Sequence, residues 1–199
     1  MKLLLTSTGI TNENVRKFFI SQFERLDDKT ACVITSGRTE EEQLYIEESL
    51  KEMADLGIKV KELNIAKNNS FPNLEEFDIY YVCGGNTFYI LDRMRKTGID
   101  KVLIDAIKSG KFYLGVSAGS VIPGHDIEIS GWGEYGDPND INLKDLTGFG
   151  LIPYIISPHY TEKEKADIDA FKEKRKGEQV IAITDDQAVF VDDKGMVSI

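Results

Sequence analysis

Short, dense runs of apolar residues punctuate the chain at Leu3–Thr6, Ala31–Thr35, Lys59–Ile65, Asp78–Cys83 and Phe112–Val116. More follow at Tyr154–Ser157, Gln179–Thr184, Ala188–Asp192 and Met196–Ile199. Runs this short, bounded by Gly, Asp, Asn and Ser, read as strands. The segments between them carry helix signals. Thr39 with Glu42, and Thr161 with Glu164, each match a capping box, in which side chains satisfy the first free N–H groups of a helix. Gly57, Gly98, Gly110 and Gly177 stand where helical patterns give out, as left-handed C-terminal caps do.

Strand, helix, strand at this spacing predicts βαβ units and a largely parallel sheet covered on both faces. Central strands of such a sheet are buried on both sides and so read as unbroken apolar runs, as "DIYYVC" and "FYLGV" do. The last two runs are separated by only "DDKG", which predicts an antiparallel hairpin added to the sheet. With 199 residues and no linker, repeat or low-complexity segment, a single α/β domain over residues 1–199 is expected. The Gly/Asp/Asn/Pro-rich stretch from Ser130 to Asn142 is long for a connection and reads as a binding loop.

Charge narrows the partners. With 24 basic against 34 acidic residues, the net charge of −10 repels phosphate backbones and anionic lipid. A small-molecule partner is expected, with neither nucleic acid nor membrane, and the chain is expected to be a monomer or weak dimer. No apolar stretch approaches the ~20 residues of a membrane span. The opening run Met1–Leu5 is too short for a signal-peptide core, so a cytoplasmic location is expected. Cys32 and Cys83 lie inside apolar runs and read as buried free thiols. Asn68-Asn69-Ser70 matches a glycosylation sequon by chance, since nothing marks the chain for secretion.

The candidate chemistry begins at "YLGVSAGSV", residues 113–121. Gly115-x-Ser117-x-Gly119 follows an apolar strand and precedes a helical segment, Ala118–Ile122, which is the setting of a nucleophile elbow. In that setting Ser117 stands at the top of the sheet and the Ala118 N–H points into the same space. The same turn also fits a phosphate-binding helix start. A serine needs a base, and the sequence holds two histidines, His125 and His159. His159 follows "PYIIS" at a strand's carboxyl end, where open α/β sheets place their ligands; His125 follows Pro123-Gly124 and reads as a loop residue.

Two carboxylates compete to orient the base. Asp185 ends the strand "QVIAIT", a rigid mount, whereas Asp137 in "EYGDPND" follows the usual serine–acid–histidine chain order of α/β-hydrolases. Asp185 is favoured. Gly84 and Gly85, directly after "DIYYVC", present bare N–H groups for a second oxyanion donor, and Asn86 caps the helix that follows. Gly84 and Asn86 are assigned to substrate binding. The sequence carries no P-loop, no dinucleotide fingerprint and no metal-spaced His/Cys cluster, so no cofactor and no metal are expected. "TSTG", Thr6–Gly9, resembles a phosphate turn but lacks the lysine of a P-loop.

"GGNTF", "GVSAGS" and "SPHY", in this order and spacing, resemble the peptidase E (aspartyl dipeptidase) family of serine peptidases, relatives of cyanophycinase. The resemblance covers most of the chain. It implies a three-layer α/β fold like that of class I glutamine amidotransferases, flavodoxin-like in outline, with serine at the elbow where those enzymes carry cysteine. By position it makes Ser117 the nucleophile, His159 the base and Gly85 an oxyanion-hole glycine. The family's third member falls either on Asp185, as a shorter acid than the family's glutamate, or on Asp137. The implied activity is hydrolysis of small peptides, dipeptidase-like, with N-terminal Asp-Xaa among the substrates.

One departure bears on that substrate. The family reads the aspartyl side chain with an arginine in the segment after the catalytic histidine. Here that segment is "TEKEKADIDAFKEKRKGEQ", with Lys163 and Lys165 near its start and Arg175 only at its far end. A lysine cannot reproduce the two-pronged grip of a guanidinium on a carboxylate, so aspartyl preference is expected to be weak or lost. Two other readings accompany the peptidase: a non-catalytic α/β module binding a small anion at Ser117, and an esterase or deacylase using the same triad.

Overall fold

The computed structural model describes residues 1–37, 39–68 and 74–199, with Glu41 described by its backbone alone. Asn69 and Ser70 of the sequon lie outside the described residues. A seven-stranded sheet forms the centre. From one edge it runs β3 (Lys59–Asn64), β2 (Thr30–Thr35), β4 (Ile79–Val82), β5 (Phe112–Val116) and β1 (Lys2–Thr6), all parallel. Beyond β1 the hairpin of β8 (Ala188–Asp192) and β9 (Gly195–Ser198) completes it, β8 pairing antiparallel with β1.

Alternation along each strand divides the core into two layers. Leu4, Val33, Tyr81 and Leu114 point to one face, where they pack on α1 (Glu13–Ser21) and α2 (Glu40–Ala54) through Val15, Phe19 and Met53. Leu3, Leu5, Ile34, Tyr80 and Tyr113 point to the other. There they meet α3 (Thr87–Thr97), α4 (Ile99–Lys108), the short α5 (Ala118–Val121) and α6 (Lys165–Lys174). Burial on both faces is why β4 and β5 read as continuous apolar runs. Edge strand β3 instead carries Lys59, Lys61 and Glu62, charges that discourage pairing with another chain.

The architecture is the three-layer, flavodoxin-like α/β sandwich expected, with two differences. First, β6 (Tyr154–Ser157) and β7 (Gln179–Ala182) do not join the central sheet. They pair with each other in parallel, and Ile155, Ile156 and Val180 sit in the helical layer, where β6 packs on α5. Second, the Thr161–Glu164 capping pattern forms a turn rather than a helix start. Glu164 accepts the Thr161 N–H at 2.8 Å, but α6 begins only at Lys165. The Thr39 cap holds, its hydroxyl accepting the Glu42 N–H at 3.1 Å. Gly57, Gly98, Gly110 and Gly177 all have the positive φ expected of C-terminal stops. Among the described residues no helix is long and apolar enough to cross a membrane.

Candidate active site

β5 ends at Val116, and the chain reverses at Ser117 into α5 with φ 50° and ψ −114°. A non-glycine residue holds such a conformation at a cost of order 1–3 kcal/mol, met only where the surroundings over-determine it. Here the Ser117 N–H donates to the Thr6 carbonyl at 2.9 Å, and the Ser117 carbonyl accepts the Ser120 N–H at 2.8 Å. The flanking glycines are a steric requirement. A Cβ at Gly115 would lie 2.3 Å from the Gly119 carbonyl oxygen, and one at Gly119 would lie 2.2 Å from that of Val82. The buried Ser120 Oγ accepts the Thr6 N–H at 2.8 Å, binding α5 to the end of β1.

His159 lies two residues past β6, also at positive φ, 59°. Its Nε2 is 2.9 Å from Ser117 Oγ and its Nδ1 is 2.8 Å from Asp185 Oδ1. A carboxylate only accepts, so Nδ1 donates to Asp185 and Nε2 is left to accept the serine proton. Asp185 follows β7, and its carbonyl accepts the Thr8 hydroxyl at 2.9 Å. The His159 N–H donates to Ser7 Oγ at 3.0 Å, and Ser7 Oγ in turn faces the carbonyls of Ile183 and Thr184 at 3.2 and 3.1 Å. The "TSTG" turn is therefore a clamp on both sides of the histidine, a role that sequence alone does not reveal.

The structure thus brings Ser117, His159 and Asp185 into one hydrogen-bonded line and leaves Asp137 out of it. Asp137 Oδ2 accepts from the Thr87 N–H at 2.8 Å and the Thr87 hydroxyl at 2.7 Å, so this carboxylate caps α3. Asn86 serves the same turn. Its Oδ1 accepts the Tyr89 N–H at 2.9 Å and its Nδ2 donates to the Pro138 carbonyl at 2.8 Å, so both ends of the amide take part in the turn. The Gly84-Gly85 turn sits over the serine: a Cβ at Gly84 would lie 3.1 Å from Ser117 Cβ. Gly85 has φ 132°, and a Cβ there would come within 2.9 Å of Ser36 Oγ. The Ala118 N–H is the first of α5 and, like any helix-start donor, has no partner within its own helix.

His125 belongs elsewhere, its Nε2 2.7 Å from Glu178 Oε2. Arg175 joins that network, donating to Glu178 and Glu128 and pairing with Asp126. Cys83 precedes the Gly84-Gly85 turn, but burial pushes its thiol, like that of Cys32, up to about 12. Both stay protonated at neutral pH.

In front of Ser117 and His159 opens a cleft of about 330 Å³. Ile129 and Ile168 line it with apolar surface, and Trp132, Tyr135 and Tyr160 line it with aromatic rings. Trp132 is fixed by donating its Nε1–H to the Asp167 carbonyl at 2.9 Å and by edge contact with Phe171, ring centroids 5.3 Å apart. Most of these walls come from the Ser130–Asn142 loop and its flanks, the stretch whose length marks it in the sequence. Trp132 itself carries no signal in the sequence beyond that.

The sequence model of peptidase family S51 matches residues 3–199 of the chain. An uncharacterized peptidase of Listeria monocytogenes is 31% identical over 202 residues, covering 98% of this chain and 97% of the other. The peptidase E of Salmonella arizonae is 31% identical over 147 residues, 72% of this chain and 57% of that longer one. Among solved structures, a peptidase E candidate from Listeria monocytogenes superposes with a TM-score of 0.83 at 29% identity, covering 100% of this chain and 97% of that one. A peptidase from an acI-B1 actinobacterium shares the fold, with a TM-score of 0.72 at 19% identity over 100% of this chain and 86% of its own. A chain matched from its first strand to its last, with a glycine-flanked serine in contact with a histidine at the mouth of an open cleft, belongs to peptidase family S51 and is a peptidase.

Proposed function

We propose that this peptidase is of the serine type and hydrolyses small peptides through an acyl-enzyme on Ser117. One observation carries the reading: the continuous line Asp185–His159–Ser117, with contacts of 2.8 and 2.9 Å. Ser117 Oγ attacks the scissile carbonyl carbon while His159 Nε2 takes its proton. The N–H groups of Gly85 and Ala118 hold the oxyanion of the tetrahedral intermediate. The imidazolium, steadied by Asp185, gives its proton to the leaving amine as the C–N bond breaks. Water then enters, loses a proton to His159 and cleaves the ester, restoring Ser117.

Asp185 rather than Asp137 is the orienting acid, because it touches His159 Nδ1 and Asp137 is held on Thr87. A merely anion-binding turn has no need of a histidine on its serine, which favours hydrolysis over the binding-module reading. The test is rapid-quench mass spectrometry during turnover of a slow amino-acid ester. An acyl adduct on the peptide containing Ser117, absent in Ser117→Ala, is expected. Full turnover by Ser117→Ala would overturn the proposal.

A further inference from the structure

The cleft in front of Ser117 is lined by four carboxylate residues, Glu134, Asp137, Glu164 and Asp167, and by no lysine or arginine among the described residues. Lys163 is the basic side chain whose charge acts on one of these carboxylates, Glu164; the others nearby are paired with acids outside the cleft. Lys165 pairs with Asp169, four residues along the same helix, and Lys174 pairs with Glu128. Arg175 is held by Asp126, Glu128 and Glu178. A low-dielectric cleft lined by one sign of charge focuses its field on a ligand of the opposite sign. Here the net charge of −10 adds to that field.

The walls suit a cation as well as the charge does. Trp132, Tyr135 and Tyr160 offer aromatic faces against which a guanidinium or an ammonium on an apolar stem can lie. Trp132 already does this once, with Lys174 Nζ 4.7 Å from its ring centre. Ser130 lines the same cleft, and its buried Oγ has no hydrogen-bond partner among the described residues. The α-ammonium and α-carboxylate of an unblocked dipeptide cancel, so a net positive charge to match the four carboxylates has to come from a side chain.

Resting on the serine-peptidase reading, we propose that the substrates are short peptides carrying a basic side chain, arginine or lysine, beside the scissile bond. An aspartyl side chain in this cleft would face like charge on every acidic wall, so Asp-Xaa peptides are the poorest substrates.

The test compares dipeptides that differ only in charge. Arginine is set against citrulline, its neutral near-isostere, first on the acyl side and then on the leaving side of an alanyl partner. In at least one of the two positions kcat/KM should favour arginine by on the order of tenfold or more, the scale on which focused fields act. That ratio should shrink as salt rises, and the double variant Glu134→Gln with Asp167→Asn should bring it toward one. Ser117→Ala, titrated with the same peptides, separates the two claims. Tighter binding of the arginyl peptide by this variant supports the acidic cleft even if the wild type turns over neither. Equal kcat/KM and equal binding for arginine and citrulline in both positions, with Ser117 fully active, would overturn the inference and leave the serine mechanism standing.

Discussion

Ser7 Oγ accepts the main-chain N–H of His159 at 3.0 Å, across 152 positions of sequence. The same buried hydroxyl faces the Ile183 and Thr184 carbonyls just ahead of Asp185. One side chain on the turn after β1 thereby fixes both His159, the proposed base, and the segment leading to Asp185, the proposed orienting acid, and helps hold His159 in its left-handed conformation.

Ser7→Ala is therefore expected to act through His159. Leaving the N–H without its acceptor costs about 1–3 kcal/mol of stability. A displaced imidazole is expected to lower kcat by on the order of a hundredfold with little change in KM. Thermal melts and steady-state kinetics on the folded variant check this, and a well-folded variant with wild-type kcat would remove Ser7 from the positioning role.

The two histidines should separate sharply. His159→Ala is expected to reduce kcat about as far as loss of the nucleophile does, roughly 10⁶ in a comparable triad. His125→Ala breaks only the contact with Glu178, on a network remote from the serine, and is expected to leave kcat within about threefold while costing ~1 kcal/mol. Comparable losses of kcat at both positions would contradict the assignment.

The two acids are expected to fail in different ways. Asp185→Asn keeps the shape but disfavours the tautomer that His159 needs, with an expected loss of about 10⁴ in kcat. Asp137→Asn weakens the cap on α3 through Thr87 and should show chiefly as ~1 kcal/mol of lost stability. Parallel kcat and melting measurements decide; the reverse ranking in kcat would hand the orienting role to the loop.

Stability should also depend on pH through a residue on the opposite face of the sheet. Glu52 accepts from the Ile10 N–H at 2.9 Å and the Tyr81 hydroxyl at 3.0 Å, and burial pushes its carboxyl up to about 7 from 4.5. Those hydrogen bonds and Arg16 pull the other way without overcoming burial. The folded chain thus holds this proton more tightly than the unfolded chain. The contribution is full below the ordinary glutamate range and is lost as pH rises toward and through 7. It amounts to roughly 3 kcal/mol. Glu52→Gln should flatten that decline in pH-dependent melts. An unchanged slope would place the titration elsewhere.

Much of this was legible in the chain because its signals are local. Gly115-x-Ser117-x-Gly119 after "FYL" encodes a turn whose Cβ-free flanks the packing requires, and the unbroken apolar run in "DIYYVC" encodes burial on two faces. The separate β6–β7 sheet was not legible, since a short apolar run does not say which strand it pairs with. Nor was Ser7, whose partners lie more than 150 positions away. Asp137 illustrates the same limit from the other side: its place in the chain order suits a triad, but only the fold shows its carboxylate on Thr87.

The central claim is that Ser117 is a nucleophile activated by His159. A fluorophosphonate probe, which phosphonylates activated serines, tests it most directly when followed by peptide mapping. The expected result is a single adduct on the peptide containing Ser117, abolished in Ser117→Ala, strongly slowed in His159→Ala and retained in His125→Ala. A folded wild-type protein that stays unlabelled, or that carries its adduct on a different residue, would contradict the account.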